Sequence, residues 1–298
     1  MRPNTKGGVP LKVVPGSASQ TLSYEISRSG GLDLLEVERR VFPDGELLVR
    51  IKDEEEVSGE EILVVQSTPY PQERNLMELL QLIDSSISMG AERVIALVPY
   101  LCYSRQDKRF RQGEPLSSRI VVDSIFSAGA DELITVNIHE EGILRGKRAK
   151  SLRAEPEIGR YFSGKLDDPL VLAPDKGAIE IAKAVSKEMK SDYSYLEKER
   201  NLETGEISVK GEVNAEGRDV LIVDDMISTG GTVIEAARIS ESMGAKRIMV
   251  SCIHPVLVQD ALLRIYSSGV ERVVSTNTIE REVSEISIHE LILRELVR

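Results

Sequence analysis

The 298-residue sequence contains few cysteines and no long apolar run. Its two cysteines, Cys102 and Cys252, each lie in an apolar stretch, and the absence of a Cys-x-x-Cys or Cys/His pattern excludes the common zinc sites. No segment approaches the roughly 18 consecutive apolar residues that a membrane-spanning helix requires. We therefore expect a cytoplasmic protein with two buried, reduced thiols and no membrane partner.

Basic residues are outnumbered by acidic ones. The sequence has 38 Lys and Arg against 49 Asp and Glu, which gives a net charge of −11. Proteins that bind nucleic acid through its phosphates need clustered Lys and Arg, so nucleic acid is excluded as a partner. A phosphorylated ligand would need local basic groups or a metal ion. Residues 1–10 lack the apolar core of a signal peptide, and we expect a poorly ordered extension there.

The length of the chain suits two domains of about 150 residues each. Apolar periodicity lapses near 145–156, so we predict an N-terminal domain over 1–148 and a C-terminal domain over 149–298. The last helix, predicted over 284–298, is expected to pack back onto the first domain. The basic run 145–150 is interpreted either as a solvated connection or as a collar that draws phosphates toward a nearby site.

Short β-branched runs alternate with longer helical patterns along the chain. The runs are almost continuously apolar, as expected of parallel strands that are buried on both faces. We predict an α/β protein with parallel sheets flanked by helices. The predicted strands are Leu11–Val14, Ile62–Gln66, Val94–Pro99, Leu133–Ile138, Leu170–Ala173, Val220–Val223, Ile248–Ile253 and Val273–Ser275, and the main predicted helices are Arg74–Met89, Leu116–Ala128, Gly177–Met189 and Thr232–Met243.

An internal repeat links the two halves. The sequence Ser-Met-Gly-Ala-Glu-Arg-Val begins at Ser88, and Ser-Met-Gly-Ala-Lys-Arg-Ile begins at Ser242. In each, a helix is expected to end at a left-handed glycine, and a strand follows about three residues later. The repeat indicates two similar domains derived by duplication, although helix–Gly–strand punctuation is common in α/β folds in general.

The most informative motif follows the apolar run Val220–Val223. Two acids, Asp224 and Asp225, are placed at the carboxyl end of this predicted strand, where open α/β sheets bind ligands. A run of hydroxyl-bearing residues and glycines then leads into a helix, which is typical of a phosphate cradle built from backbone N–H groups. No Walker sequence is present. The cradle residues are Ser228, Thr229, Gly230, Gly231 and Thr232.

Carboxylates beside a phosphate cradle would repel the phosphate. Asp224 and Asp225 are therefore expected to hold sugar hydroxyls, or a magnesium ion through water. The whole motif resembles the ribose-5-phosphate loop of type I phosphoribosyltransferases and of ribose-phosphate diphosphokinases.

Further segments, in the same order as in the diphosphokinases, separate these two families. They resemble the FxDGE, YxRQDK, DLH, SPDxGG and KxR segments of that family, and the resemblance extends from about Leu11 to Glu295. Single-domain phosphoribosyltransferases lack most of them. The segments are Phe42–Glu46, Tyr103–Lys108, Asn137–His139, Ala173–Gly177 and Glu197–Arg200.

The resemblance implies two tandem phosphoribosyltransferase-type (Rossmann-like) domains with the active site between them. It implies an enzyme that transfers the β,γ-diphosphate of ATP to the 1-hydroxyl of ribose 5-phosphate, giving phosphoribosyl pyrophosphate and AMP for nucleotide biosynthesis. The family's adenine site is shared between subunits, so a homo-oligomer, a dimer or a multiple of dimers, is implied.

The resemblance also assigns the ATP side. Phe42 would stack on adenine, with Asp44 and Glu46 at its edge and ribose, while Arg105 and Gln106 would contact ATP. His139 would contact magnesium and ATP, and Asp175 would be the second position associated with Mg²⁺. Few protein ligands are expected for an ion that keeps several waters.

Lys198 and Arg200 are the catalytic candidates that the resemblance implies. Lys198 would stabilise the charge that develops on the transferring phosphoryl group, and Arg200 would hold that group or the ribose phosphate. The polar segment Glu199–Gly217 is long for a connection and is interpreted as a lid that excludes water on closure. Without the resemblance, the four charged residues that start at Glu197 would be a solvated run.

The sequence departs from the family pattern at Asn137, Ala178 and Ser228, and the segment Glu140–Lys150 does not resemble the family. Asn137 removes a charge near the expected metal position. Two alternative functions remain: a phosphoribosyltransferase that consumes the same product, and a non-catalytic partner subunit of the diphosphokinases. His254 and His289 match no catalytic segment and are expected to be structural.

Overall fold

The computed structural model describes residues 11–52, 56–200, 207–210 and 214–296, with the backbone alone described for 198–200 and 207–210. It divides into two compact units. The first extends to Leu152 and includes Thr278–Glu280 and the chain from Ile288, and the second comprises Arg153–Asn277 and Arg281–Ser287. Each unit contains a parallel six-stranded sheet flanked by helices, which confirms the predicted α/β fold class.

The first sheet has the strand order β2-β1-β5-β6-β7-β8. Two further strands, β3 and β4, form a separate antiparallel hairpin between β2 and β5. The strands are β1 (Leu11–Pro15), β2 (Asp33–Leu34), β3 (Val37–Val41), β4 (Leu47–Ile51), β5 (Glu61–Val65), β6 (Arg93–Val98), β7 (Glu132–Val136) and β8 (Ala149–Leu152), and the helices are α1 (Gln20–Gly30), α2 (Gln72–Ser88) and α3 (Ser117–Ser127).

The second sheet has the equivalent order β10-β9-β13-β14-β15-β16, with an antiparallel hairpin of β11 and β12 between β10 and β13. Its strands are β9 (Leu170–Ala173), β10 (Asp192–Tyr195), β11 (Glu197–Arg200), β12 (Ile207–Lys210), β13 (Asp219–Ile227), β14 (Arg247–Pro255), β15 (Arg272–Thr276) and β16 (Ser284–Ile286). The helices are α4 (Glu155–Phe162), α5 (Ile179–Met189), α6 (Gly231–Ser242) and α7 (Ala261–Tyr266), and the last helix of the chain is α8 (His289–Leu296).

The repeated phrase adopts the same conformation in both units. Gly90 follows α2 with φ of 85°, and Gly244 follows α6 with φ of 80°, so both take the left-handed conformation predicted for them. In each case the next strand lies beside the strand that preceded the helix, β6 beside β5 and β14 beside β13. The matching strand orders and the matching hairpins support a duplication. The helix–Gly–strand pattern that is common in α/β folds would not by itself reproduce the strand order or the hairpin.

The predicted domain boundary and last helix differ from the structure. Residues 149–152 form β8, which pairs with β7, so the first unit continues to Leu152 rather than ending at 148. Helix α8 begins at His289 rather than at 284, because Ser284–Ile286 pairs with β15 as β16. Helix α8 packs against α1 within the first unit.

The basic run is not simply a solvated connection. The Lys147 ammonium lies 2.8 Å from the Asp123 carboxylate, and the Lys150 ammonium lies 2.7 Å from Glu132 and 2.9 Å from Glu295 of α8. Burial tends to raise the pKa of Glu132, but Lys150 and neighbouring arginine charge hold it below its usual range. Acidic groups of the same unit engage these two lysines, which weakens the interpretation of the run as a phosphate collar.

A buried carboxylate fixes the start of β13. Asp219 is fully buried, and its oxygens accept hydrogen bonds from Arg247 Nε at 3.0 Å and from the Asp167 amide at 2.7 Å. The hydrogen bond from Arg247, opposed by burial, holds the pKa of Asp219 below its usual range. This contact joins β14 to β13, the strand that leads into the segment Ser228–Thr232.

We expect Asp219→Asn to lower the free energy of unfolding at pH 7 by about 2–3 kcal/mol, because Arg247 loses its buried counter-charge. A carboxyl with a depressed folded pKa stabilises fully above its unfolded pKa, so the difference from wild type should begin to shrink as the pH falls below about 4 and should be lost as the pH falls through the lower folded pKa. Urea unfolding from pH 3 to 7 measures this. Asp168→Asn removes an exposed partner of Arg218 and should cost under about 1 kcal/mol, and an equal loss in both variants would contradict the prediction.

Candidate functional site

The candidate phosphate loop, Ser228–Thr232, connects β13 to α6. Gly230 adopts a left-handed conformation with φ of 77°, and a Cβ at this position would lie 3.1 Å from the Ile265 side chain. Glycine is therefore required at 230 by both conformation and space. A Cβ at Gly231 would meet no protein atom within 4 Å, so any need for glycine there has to come from a ligand.

Asp224 and Asp225 lie near the carboxyl end of β13, which extends four residues beyond the predicted Val223. The strand continues to Ile227 because β14 is equally long, and Asp224 pairs with Cys252 across the two strands. Both carboxylates are half-buried at the edge of the sheet next to the phosphate loop. The Asp224 carboxylate accepts a hydrogen bond of 2.9 Å from the Asp225 amide.

Three acidic groups converge at this edge. Burial, followed by the negative charges of Asp225 and Asp175, raises the pKa of Asp224 well above its usual range. Burial and the charge of Asp224 likewise raise the pKa of the fully buried Cys252 thiol, which makes it unreactive. The site therefore concentrates negative charge, which a cation or a set of hydroxyl donors would stabilise.

Asp175 lies next in sequence to Lys176, which contacts the start of the hairpin formed by β11 and β12. Its carboxylate caps the turn after β9 by accepting a 2.8 Å hydrogen bond from the Gly177 amide. The next residue, Lys176, forms a 2.5 Å ion pair with Glu197, the first residue of β11. The backbone of Lys198 and Arg200 lies on β11, in register with Val209 and Ile207 of β12, whereas their side chains lie outside the described part of the chain.

In the first unit, the structure brings Arg105, Gln106 and His139 to neighbouring strands. Arg105 and Gln106 follow β6, and His139 follows β7, which pairs with β6 in parallel. The backbone N–H of Gln106 donates to the carbonyl of Tyr103 at 3.0 Å. This hydrogen bond closes a turn in which Arg105 is exposed. The carboxyl ends of adjacent parallel strands are where such sheets bind ligands.

Asn137 has a structural reason to be asparagine. It is 6% exposed and has a φ of 41°, in the left-handed region that asparagine tolerates better than most residues. The backbone N–H of Asn137 donates to the carbonyl of Leu152 at 2.8 Å, two residues before the exposed His139.

The tip of the first hairpin, between β3 and β4, carries Phe42, Asp44 and Glu46. The Phe42 amide donates to the Glu46 carbonyl at 2.9 Å, and the Asp44 carboxylate accepts from the Glu46 amide at 3.2 Å. Asp44 and Glu46 are exposed, and the guanidinium of Arg40 lies 4.9 Å from the centre of the half-buried Phe42 ring. Among the described residues, β3 and β4 pair with each other and not with the six-stranded sheet whose loops carry Arg105 and His139.

Sequence reasoning missed the group that anchors this hairpin. Glu78 of α2 is 1% exposed, forms a 2.6 Å ion pair with Arg39 of β3 and accepts a 2.8 Å hydrogen bond from the Ser17 amide. Gln81, one helical turn later, donates to the Leu47 carbonyl of β4 at 2.8 Å. An acid on the apolar face of a helix, as Glu78 is, was the available signal.

Magnesium suits the donor set, although not as an ion held by protein alone. Among the described residues, no group of three or more His, Cys, Asp or Glu side chains is arranged to hold a metal ion. The oxygen donors of Asp175, Asp224 and Asp225 are the kind that Mg²⁺ prefers, and this ion commonly keeps waters and substrate phosphates as its other ligands.

The described part of the chain does not include a helix that is long and apolar enough to cross a membrane.

Comparison with known proteins agrees with this arrangement. The family model for the N-terminal domain of ribose phosphate pyrophosphokinase matches residues 11–129, and the model for the phosphoribosyl transferase domain matches residues 149–279. The ribose-phosphate pyrophosphokinase of Methanothermobacter thermautotrophicus is 47% identical over 283 residues, which cover 94% of this chain and 98% of that protein. The enzyme of the same name from Pyrococcus abyssi is 43% identical over 284 residues, 94% of this chain and 96% of that protein.

A solved structure extends the likeness to three dimensions. The crystal structure of phosphoribosylpyrophosphate synthetase from Mycobacterium smegmatis superposes with a TM-score of 0.83 at 28% identity, covering 96% of this chain and 97% of that one. Sequence, domain order and fold thus agree over almost the whole chain, and it belongs to the ribose-phosphate pyrophosphokinase family of transferase enzymes.

Proposed function

We propose that this protein transfers the β,γ-diphosphate of ATP to the 1-hydroxyl of ribose 5-phosphate, giving phosphoribosyl pyrophosphate and AMP. The observation that carries the proposal is the loop Ser228–Thr232, with its obligatory glycine at 230, next to the paired carboxylates Asp224 and Asp225. A loop of hydroxyl-bearing residues and glycines that leads into a helix suits a phosphate, and carboxylates three and four residues before the loop suit sugar hydroxyls.

The ribose 5-phosphate therefore lies along β13 and the start of α6. The hydroxyls of Ser228, Thr229 and Thr232, together with the backbone at Gly230 and Gly231, bind its phosphate. Asp224 and Asp225 accept hydrogen bonds from the ribose hydroxyls, which offsets part of the cost of keeping two acids close together.

ATP uses the residues of the first unit. Phe42 stacks on the adenine, Asp44 and Glu46 contact its edge and ribose, and Arg105 and Gln106 contact the nucleotide. Mg²⁺, held by His139, Asp175 and the phosphates, would neutralise phosphate charge when bound.

The reaction needs positioning and charge stabilisation more than acid–base chemistry. The 1-hydroxyl oxygen forms a bond to the β-phosphorus, the bond from that phosphorus to the oxygen bridging to the α-phosphate breaks, and AMP leaves while the hydroxyl proton passes to solvent. Lys198 stabilises the negative charge on the transferring group, and Arg200 holds that group or the ribose phosphate. Closure of the segment Glu199–Gly217 would exclude water and suppress ATP hydrolysis.

A homo-oligomer, a dimer or a multiple of dimers, is part of the proposal. Asp44 and Glu46 are exposed at the tip of a hairpin whose strands, within the described part of the chain, pair only with each other. A neighbouring subunit that receives this tip would complete the adenine site. Sedimentation of the protein at several concentrations measures the oligomeric state.

Incubation of the purified protein with Mg²⁺, ATP and ribose 5-phosphate is expected to yield AMP, with a rate that depends on all three. Chromatography of the nucleotides measures it. ADP in place of AMP would mean attack at the γ-phosphorus and would overturn the proposed reaction. ATP binding without AMP would favour a non-catalytic partner subunit, and base-dependent release of pyrophosphate from phosphoribosyl pyrophosphate would favour a phosphoribosyltransferase.

A further inference from the structure

We infer that the segment Leu257–Ile265, which follows β14, positions the ribose-5-phosphate loop, and that Arg264 and Ile265 act as its positioning residues. The inference rests on the proposed function, because it takes Ser228–Thr232 as the loop that binds the ribose phosphate. The segment contacts four consecutive residues, the last residue of β13, Ile227, and the first three residues of the loop, Ser228 to Gly230.

The first set of contacts fixes three successive carbonyl groups. The amide of Leu257 donates to the carbonyl of Ile227 at 2.9 Å, and the amide of Val258 donates to the carbonyl of Ser228 at 3.1 Å. Nη1 of Arg264 lies 3.4 Å from the carbonyl oxygen of Thr229.

An anion cradle needs its N–H groups forward and its carbonyl oxygens turned away, since a carbonyl oxygen repels a phosphate. The segment supplies donors for the three carbonyls on the rear side of the loop. It therefore favours the backbone orientation that presents N–H groups to a ligand, although none of these donors needs to touch the ligand.

Packing supplies the second set of contacts. Ile265 is fully buried, and its side chain approaches to 3.1 Å the point where a Cβ on Gly230 would lie. The left-handed backbone of Gly230 thus rests directly on this side chain. A smaller residue at 265 would leave space into which the loop can relax.

The segment maintains this geometry at a conformational cost. Leu257, Gln259 and Asp260 have φ of 46°, 55° and 55°, although none is glycine. The left-handed conformation is unfavourable for residues other than glycine, and such strain persists only where surrounding contacts impose it. The left-handed turn at Leu257 lets two successive amides, those of Leu257 and Val258, reach two successive carbonyls of β13 and the loop.

Arg264 offers the cleanest test, because its side chain lines an open cavity of about 560 Å³ and the change should not disturb the core. We expect Arg264→Gln to raise the KM for ribose 5-phosphate about five-fold, the effect of one lost hydrogen bond, with the KM for ATP and the melting temperature unchanged. Arg264→Lys keeps a cationic donor and should recover part of the affinity. Arg238→Gln is the matched control, since Arg238 lines the same cavity from α6, and it should change nothing.

Calorimetric titration with ribose 5-phosphate separates this inference from the proposed function. Binding by the wild type that weakens in Arg264→Gln but not in Arg238→Gln supports the inference. Equal binding by wild type and Arg264→Gln overturns the inference alone. A wild type that does not bind ribose 5-phosphate overturns both. Equal weakening in both arginine variants would indicate a general charge effect and would also overturn the positioning role.

Discussion

Replacement of Lys198 by alanine is expected to lower kcat for AMP formation about 1,000-fold, with a much smaller change in the KM for either substrate. A cation that acts on charge developing in the transition state contributes mainly to kcat, and loss of one such group costs two to three orders of magnitude or more. Steady-state rates with each substrate varied in turn measure the separation.

Lys210→Ala is the matched control for this prediction. Lys210 has the same charge and lies on the same hairpin, where it pairs in register with Glu197 rather than with a candidate catalytic residue. It should retain most of the wild-type kcat. If Lys198→Ala keeps more than about a tenth of the wild-type kcat, or if both lysine variants fall equally, Lys198 is not the group that stabilises the transferring phosphoryl.

Asp224→Asn is expected to stabilise the substrate-free protein at pH 8 while lowering kcat/KM for ribose 5-phosphate about 100-fold. Burial and the charges of Asp225 and Asp175 raise the pKa of Asp224 to about 8, so the ionised form is disfavoured in the folded protein. Asparagine cannot ionise, but its oxygen can still accept the 2.9 Å hydrogen bond from the Asp225 amide. The loss of activity follows because Asp224 is a half-buried acceptor for a ribose hydroxyl, and losing a hydrogen bond to a carboxylate costs about 1–3 kcal/mol.

The sign of the pH dependence follows from linkage. A carboxyl whose folded pKa is raised contributes stability that is complete below its unfolded pKa, near 4, and is lost as the pH rises through its folded pKa, about 8. The gain in unfolding free energy of Asp224→Asn over wild type should thus grow from pH 5 to pH 8, to about 2 kcal/mol after allowance for solvent screening. Urea unfolding at both pH values, without Mg²⁺ or substrate, measures it.

Asp84→Asn provides the comparison, because Asp84 is an exposed aspartate of α2 in the other unit. It should show no pH-dependent gain. A gain for Asp224→Asn that is equal at pH 5 and pH 8 would show that the raised pKa is not its source. Addition of Mg²⁺ with ribose 5-phosphate should stabilise the wild type more than Asp224→Asn, since the ligands relieve the repulsion that the substitution has already removed.

The main elements of the sheets could be predicted because each consists of apolar residues that must be buried on both faces. All eight predicted strands are present within a few residues of their predicted bounds, as are the helices over Gln72–Ser88 and Ser117–Ser127. The prediction missed β3 and β4, whose exposed residues alternate with partly buried ones and so lack a continuous apolar run. It also missed α7, which is only six residues long and too short to show helical periodicity.

The conformation of the candidate phosphate loop was predictable from local sequence because it depends on neighbouring residues. Ser228 to Thr232 lie between a buried strand and a helix, and a positive φ at Gly230 is available to glycine at little cost. The extent of β13 was not predictable in this way. Whether Asp224 and Asp225 end the strand or lie within it depends on the length of β14, which is set more than twenty residues later in the chain.

The sequence by itself thus determined the fold class, the family resemblance and the identity of the candidate site residues, because these depend on local patterns and on motif order. Only the tertiary structure decided that Glu78 anchors the hairpin of Phe42, that burial and the charges of Asp225 and Asp175 raise the pKa of Asp224, and that Leu257–Ile265 contacts the candidate phosphate loop. The physical reason is that burial, electrostatic coupling and loop support arise from contacts between residues that are distant in the chain. Such contacts leave little signal in any local window of sequence.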